Sequence, residues 1–154
     1  MEMSIDKGAI EFLHSLIGLP LHYAIKSPDT ELYDFGFGRL VETVGLSGKQ
    51  KKIGTHTIHA LCRFKVISRT GGKTATNYYE DTPSEKFQSE INYLIGLTVK
   101  RVALSDKNDL WLDFGDYWIV FATFENGEES WRFLTLDRNA PHLVASDCWL
   151  DMVH

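Results

Sequence analysis

Apolar residues fall on one helical face twice along this chain. Ala9, Leu13, Leu16 and Ile17 lie at i, i+4, i+7 and i+8, and so do Phe87, Ile91, Leu94 and Ile95. That spacing predicts a helix over residues 4–17 and a second one beginning after Thr82. Ser4 or Asp6 can cap the first, and Gly18 can end it in the left-handed conformation. The second has Thr82 at the N-cap, Pro83 at the first helical position and Glu85 three residues after the cap. Each helix leads into Leu-Ile-Gly-Leu, at Leu16 and again at Leu94, 78 residues later. Asp-Phe-Gly recurs too, at Asp34 and Asp113, 79 residues apart.

Between and after the helices the pattern alternates with the period of strands. Strands are predicted over residues 19–26, 31–35, 39–44 and 55–67, with a turn at 27–30, a tight reversal at Gly36-Phe37-Gly38 and a loop over 45–54. In the long strand, Ile58, Ala60, Cys62, Phe64 and Val66 face one way. Residues 69–81 form a polar joint. The second half repeats the meander: strands over 97–104, 110–114, 117–124 and 129–136, with turns at 105–108, at Gly115-Asp116 and at the Asn126-Gly127 hairpin signal. A closing strand over 142–146 and a tail pinned by Cys148, Trp149 and Leu150 complete the chain. The predicted class is α+β. A duplicated unit of one helix and about four antiparallel strands is expected, with halves near 4–69 and 82–147. Two such units pack with pseudo-twofold symmetry, as a sandwich or a partly open barrel, in one domain spanning 1–154.

A length of 154 residues with 44% hydrophobic and 24% charged positions suits one globular core. No apolar run approaches the roughly 18 residues of a membrane span, and the N-terminus lacks a secretory pattern, so a cytoplasmic protein is expected. Cys62 and Cys148 are too few for a disulfide framework and read as small buried hydrophobes. The net charge of −5 is uneven. Residues 1–80 hold ten Lys/Arg and eight Asp/Glu, and residues 81–154 hold six and thirteen. An acidic second half argues against a nucleic-acid partner and suits a basic protein partner.

Candidate chemistry is sparse. His56 and His59 are three apart on a strand and face opposite sides, so no metal site is predicted. No GxGxxG, GxxxxGK[ST], CxxC, GxSxG or HExxH is present, and no cofactor is implied. Asp34 and Asp113 occupy equivalent positions, and Arg63 and Arg132 both lie between two inward residues. The two Asp–Arg sets either fix strand register or line a polar cleft at the pseudo-twofold axis, joined by His59. Trp111, Tyr117 and Trp118 are candidate anchors for a protein partner if exposed. The sequence favours a non-catalytic binding protein; the alternatives are a small-molecule binder or enzyme using that cleft, and a self-associating structural protein.

The segments Ile58-His59-Ala60-Leu61-Cys62-Arg63-Phe64, Glu129-Ser130-Trp131-Arg132-Phe133-Leu134 and Pro141-His142-Leu143-Val144 resemble an uncharacterised group of small bacterial proteins. Members carry an aliphatic-His-x-x-Cys segment with a nearby arginine, an E-x-W-R-aromatic segment and a late His-aliphatic-Val. The resemblance covers roughly residues 56–150, and Phe64 departs from it, standing where a Trp-Arg pair is commoner. It implies a bacterial intracellular protein of unassigned function, of a kind often found as immunity proteins of toxin systems.

Overall fold

The computed structural model describes residues 7–27, 31–44, 48, 50–69, 75–137 and 139–153. The chain is α+β, with two helices and two open antiparallel sheets of six and five strands among the described residues. In chain order the elements are α1 (Lys7–His14), β1 (Leu21–Lys26), β2 (Tyr33–Val44), β3 (Gln50–Ala60), β4 (Arg63–Ser68) and β5 (Ala75–Tyr78). They continue with α2 (Ser84–Ile91), a 3-10 turn (Asn92–Leu94), β6 (Arg101–Leu104), β7 (Leu110–Asp113), β8 (Tyr117–Ala122), β9 (Trp131–Thr135), β10 (His142–Ala145) and β11 (Leu150–Val153). Sheet 1 runs β1-β2-β3-β9-β10-β11, and sheet 2 runs β5-β4-β8-β7-β6. Both are open, which excludes the barrel form of the expected architecture.

The two sheets meet across an aromatic core. Phe35 of sheet 1 meets the edges of Phe64 and Phe121 of sheet 2, with ring centroids 5.3 and 5.2 Å apart. Helix α2 seats Phe87 against Tyr33, Phe64 and Tyr78. Helix α1 places Phe12 on Phe133 at 4.7 Å. In both helical stripes the first three apolar positions are buried and the fourth, Ile17 or Ile95, is exposed.

The long strand predicted over 55–67 is two strands in two sheets. The amides of Leu61 and Cys62 both donate to Ser130 O, and the chain crosses between sheets at that corner. The alternation survives because both sheets face the same core: Ile58, Ala60, Cys62, Phe64 and Val66 are all buried. The crossing also fixes the strand order. Meander β1-β2-β3 is extended by β9 and β10, and meander β6-β7-β8 is extended by β4 and β5. Each set of three thus borrows its next two strands from the other half of the chain.

Where the halves meet, backbone hydrogen bonds come in matched pairs. Gly18 N donates to Val99 O and Gly96 N to Leu21 O, both at 2.8 Å. Leu21 N donates to Leu97 O at 2.9 Å and Val99 N to Leu19 O at 3.0 Å. Pro20 and Thr98 form the bridge at their centre.

Four local expectations change. The polar joint expected over 69–81 carries strand β5, and its residues 70–74 lie outside the described residues. The reversal at Gly36-Phe37-Gly38 is absent, because β2 runs on to Val44 with only a register shift between Phe37 and Leu40. Of the expected loop over 45–54, residues 50–54 are strand, paired with the end of β2; residues 45–47 and 49 lie outside the described residues, as do residues 4–6 and 28–30. Thr82 does not cap α2. Pro83 is the N-cap, and the Thr82 hydroxyl instead accepts from Tyr79 N at 2.9 Å.

Candidate functional site

The repeated aspartates lie on the outward faces of different sheets. Asp113 ends β7 opposite Arg101 and Trp118. Its carboxylate accepts from Arg101 Nε at 2.8 Å and from the Gly115 amide at 2.7 Å, with Arg69 3.7 Å away. Although outward, it is only 3% exposed, because those groups enclose it. Both guanidiniums lie over the Trp118 ring, 5.5 and 5.4 Å from its centroid. Trp111 meets Trp118 edge-on at 5.6 Å. Trp111, Tyr117 and Trp118 are all half-buried, and Tyr117 packs on Tyr93 at 4.9 Å, away from the tryptophan pair. Nearby outward residues Ala103, Ala122 and Asn77 are exposed, while Val120 among them is buried.

Arg63 lies at the other end of the same face. It pairs with Ala122, whereas Ile67, four residues along β4, pairs with Trp118. Arg63 sits in a hollow of about 690 Å³ walled by Glu31, Glu80, Asp81 and Glu128. Its Nε is 3.7 Å from Glu80, and its guanidinium lies over the exposed Tyr79 ring at 5.4 Å. A neighbouring hollow that shares Arg63 reaches Phe124 and Glu125.

Sheet 1 carries a different outward face. Asp34, His59 and Arg132 fall in one cross-strand row. His59 Nε2 is 3.6 Å from Asp34 Oδ1. Arg132 is held side-on by Glu129, at 3.2 and 3.0 Å, and touches His142 Nδ1 at 3.2 Å. Because guanidinium only donates, that contact requires Nδ1 to be the unprotonated ring nitrogen. Tyr23 lies across Gly36 beside Asp34; burial, then the Asp34 charge, pushes its hydroxyl up to about 12.

The expected pairing of Asp34 with Arg63 and of Asp113 with Arg132 therefore does not form. The strand exchange puts Arg132 in the sheet of Asp34 and Arg63 in the sheet of Asp113. His59 separates the first two, and Arg63 lies four residues along β4 from the row of Asp113. The four charges have separate partners, so they do not converge on a cleft. Of the cysteines, Cys62 is buried and its thiol is pushed up by burial, while Cys148 is exposed, against the expectation of a buried side chain. His56 and His59 do face opposite ways: His56 stacks on Phe133 at 6.0 Å and His59 is outward. Among the described residues, no group of three His, Cys, Asp or Glu side chains is arranged to hold a metal, and no helix is long and apolar enough to cross a membrane.

Sequence reasoning missed Arg101, Arg69 and Tyr79. Arg101 was within reach, since a hairpin turning at 105–109 sets it opposite Asp113. Arg69 and Tyr79 join the face only through the pairing of β4 with β8 and β5, which local pattern does not encode. Comparison of the chain with protein-family models, curated proteins and solved structures finds no match.

Proposed function

We propose that this chain is a non-catalytic protein-binding domain, immunity-like in kind, that docks its partner on the outward face of sheet 2. The carrying observation is the Trp111–Trp118 pair, half-exposed and flanked by Arg69 and Arg101. Tryptophan and arginine dominate binding hot spots because they desolvate much area at low entropic cost. The acidic end around Arg63 favours a partner presenting cationic groups, and the net charge of −5 steers encounter the same way. A polar cleft for a small molecule or a reaction finds less support, because Asp34, Arg63, Asp113 and Arg132 do not converge. The reading places the chain in the bacterial cytoplasm, where its two free cysteines stay reduced.

We also read the halves near 4–69 and 82–147 as copies of one unit related by a pseudo-twofold axis. Support comes from the shared strand order of the two sheets and from the matched bonds around Pro20 and Thr98. Under that relation His59 corresponds to Trp118 and Arg132 to Ile67, each counted along the row of its aspartate. The copies agree in the core and differ on the outward faces, as expected when frame and binding surface are under separate demands.

The test is affinity capture from a bacterial host, with bound proteins identified by mass spectrometry. A partner with a basic surface should be captured by the wild type and by His59→Ala, and lost with Trp118→Ala and with Glu128→Lys. A partner retained by the last two and lost with His59→Ala moves the site to sheet 1 and ends this reading.

A further inference from the structure

The outward face of sheet 2 is bipolar. At one end Arg69 and Arg101 share the buried carboxylate of Asp113, and Lys100 and Asp116 flank the Gly115 turn, which leaves that end net positive by one charge. At the other, Glu80, Asp81 and Glu128 surround the lone Arg63. Four residues of β4 separate the row of Trp118 from that of Arg63, a span of about 13 Å. Between the ends Lys65 is the charged member of the middle row, with Trp111 packed beside the buried Val120 on β7 and β8 and exposed Ala103 and Ala122 next to them. Small side chains let another surface approach closely. An occupant must therefore offer cations at one end, carboxylates at the other and an apolar middle.

Resting on the reading of this face as a docking surface, we propose that its occupant is a second copy of the same chain, related by a twofold axis running across the strands. Such an axis turns the second face end for end, so the Arg69–Arg101 end of each copy meets the acidic end of the other. A twofold along the strands would set like charges together and is disfavoured by the same charges. Isologous pairing meets both demands with one surface, because whatever one copy offers the other requires; the close end contacts act against the longer-range repulsion of two chains of net charge −5. Lys65 lies near the midpoint but on β4, next to edge strand β5. An axis across the strands brings it near its counterpart, a like-charge contact that the two complementary end contacts must outweigh.

Sedimentation equilibrium from about 1 µM to about 100 µM tests the proposal. The wild type should dimerise, with a dissociation constant rising about tenfold or more between about 50 and about 500 mM salt. Trp118→Ala should weaken the dimer about thirtyfold, the ratio that corresponds to a 2 kcal/mol hot spot. Glu80→Lys, Glu125→Lys and Glu128→Lys together make both ends basic; Arg69→Glu makes both acidic. Each variant alone should be monomeric, and an equimolar mixture should form heterodimers. Thermal melting checks that both fold, and the salt series on the wild type needs no variant. A wild type that stays monomeric throughout overturns the proposal, as does a dimer indifferent to salt and to Trp118→Ala. A monomer leaves the parent reading to the affinity capture, where a heterologous partner lost with Trp118→Ala would uphold it; the two failures are thus distinct.

Discussion

Asp34-Phe35-Gly36 and Asp113-Phe114-Gly115 are the same three residues in the same place in two meanders, yet the chain does opposite things at them. At Gly115 it reverses, with φ at +96° and Phe114 N bonded to Tyr117 O. At Gly36 it runs straight on, and the glycine is needed for room: a Cβ there would lie 2.0 Å from the Tyr23 ring. Tyr23 is the direct cross-strand neighbour of Gly36, and its ring fills the space that the missing side chain leaves. One glycine supplies a backbone angle and the other a ring-sized gap. Identity of sequence is therefore no guide to which of glycine's two properties a site uses.

The comparison breaks most sharply under alanine. Gly36→Ala forces the half-buried Tyr23 ring out of its seat and should cost about 3 kcal/mol, the upper range for overpacking. Tyr23→Ala in the same chain should recover much of that loss. Gly115→Ala should cost about 1–2 kcal/mol for a left-handed L-residue, with Lys100 Cε 3.2 Å from the new methyl group able to swing aside. Tyr23→Ala should leave that cost unchanged. Urea unfolding of the four variants reads both differences; equal rescue of the two glycine variants would show that the distinction drawn here is wrong.

The aspartates differ in the same direction. Asp113 is enclosed by two arginines and an amide, whereas the Asp34 side chain is 35% exposed beside His59 and Tyr23. Asp113→Ala should cost about 2 kcal/mol, since hydrogen bonds to charged groups contribute about 1.5–3 kcal/mol each and the two arginines can return to water. Asp34→Ala should cost under about 1 kcal/mol, as expected for a partly exposed pair. The same unfolding measurement decides it, and an Asp34 variant that loses more than the Asp113 variant reverses the ranking.

These contrasts mark where the sequence was readable. Helical stripes, the Gly115 and Asn126-Gly127 turns and the alternation through Cys62 depend on local period and turn chemistry, and the pattern carries them directly. The reversal expected at Gly36 failed because glycine's sequence signal is the same for a turn and for a gap, and Tyr23 lies thirteen residues upstream. The corner at Leu61 was invisible because inward alternation continues when a strand changes sheets around a shared core. The expected ion pairs fail for the same reason: local pattern places each arginine in its own half, and the strands exchange between halves. Trp111 and Trp118 were found as candidates from residue type alone, but the arginines that stack on Trp118 needed the register of three strands.

The smallest effect expected separates the inward and outward histidines of β3. His56 stacks on Phe133 and contacts Thr55 Oγ1 at 3.0 Å, and burial lowers its pKa below the ordinary histidine value. Protonation therefore favours the unfolded chain, where the group titrates near 6.5. The stabilisation is fully present above that value. It declines as pH falls from about 6.5 toward the lower folded-state pKa, and no further below it. His56→Gln removes this contribution to the slope whatever it does to stability at neutral pH. Unfolding free energies at about pH 7.5 and about pH 5 should differ by less for His56→Gln than for the wild type. His59→Gln, on the outward side, removes a different contact and should leave the His56 contribution in place. A His56→Gln profile parallel to the wild type would mean that the imidazole is solvated in the folded protein and that β3 does not separate its two histidines as the core packing implies.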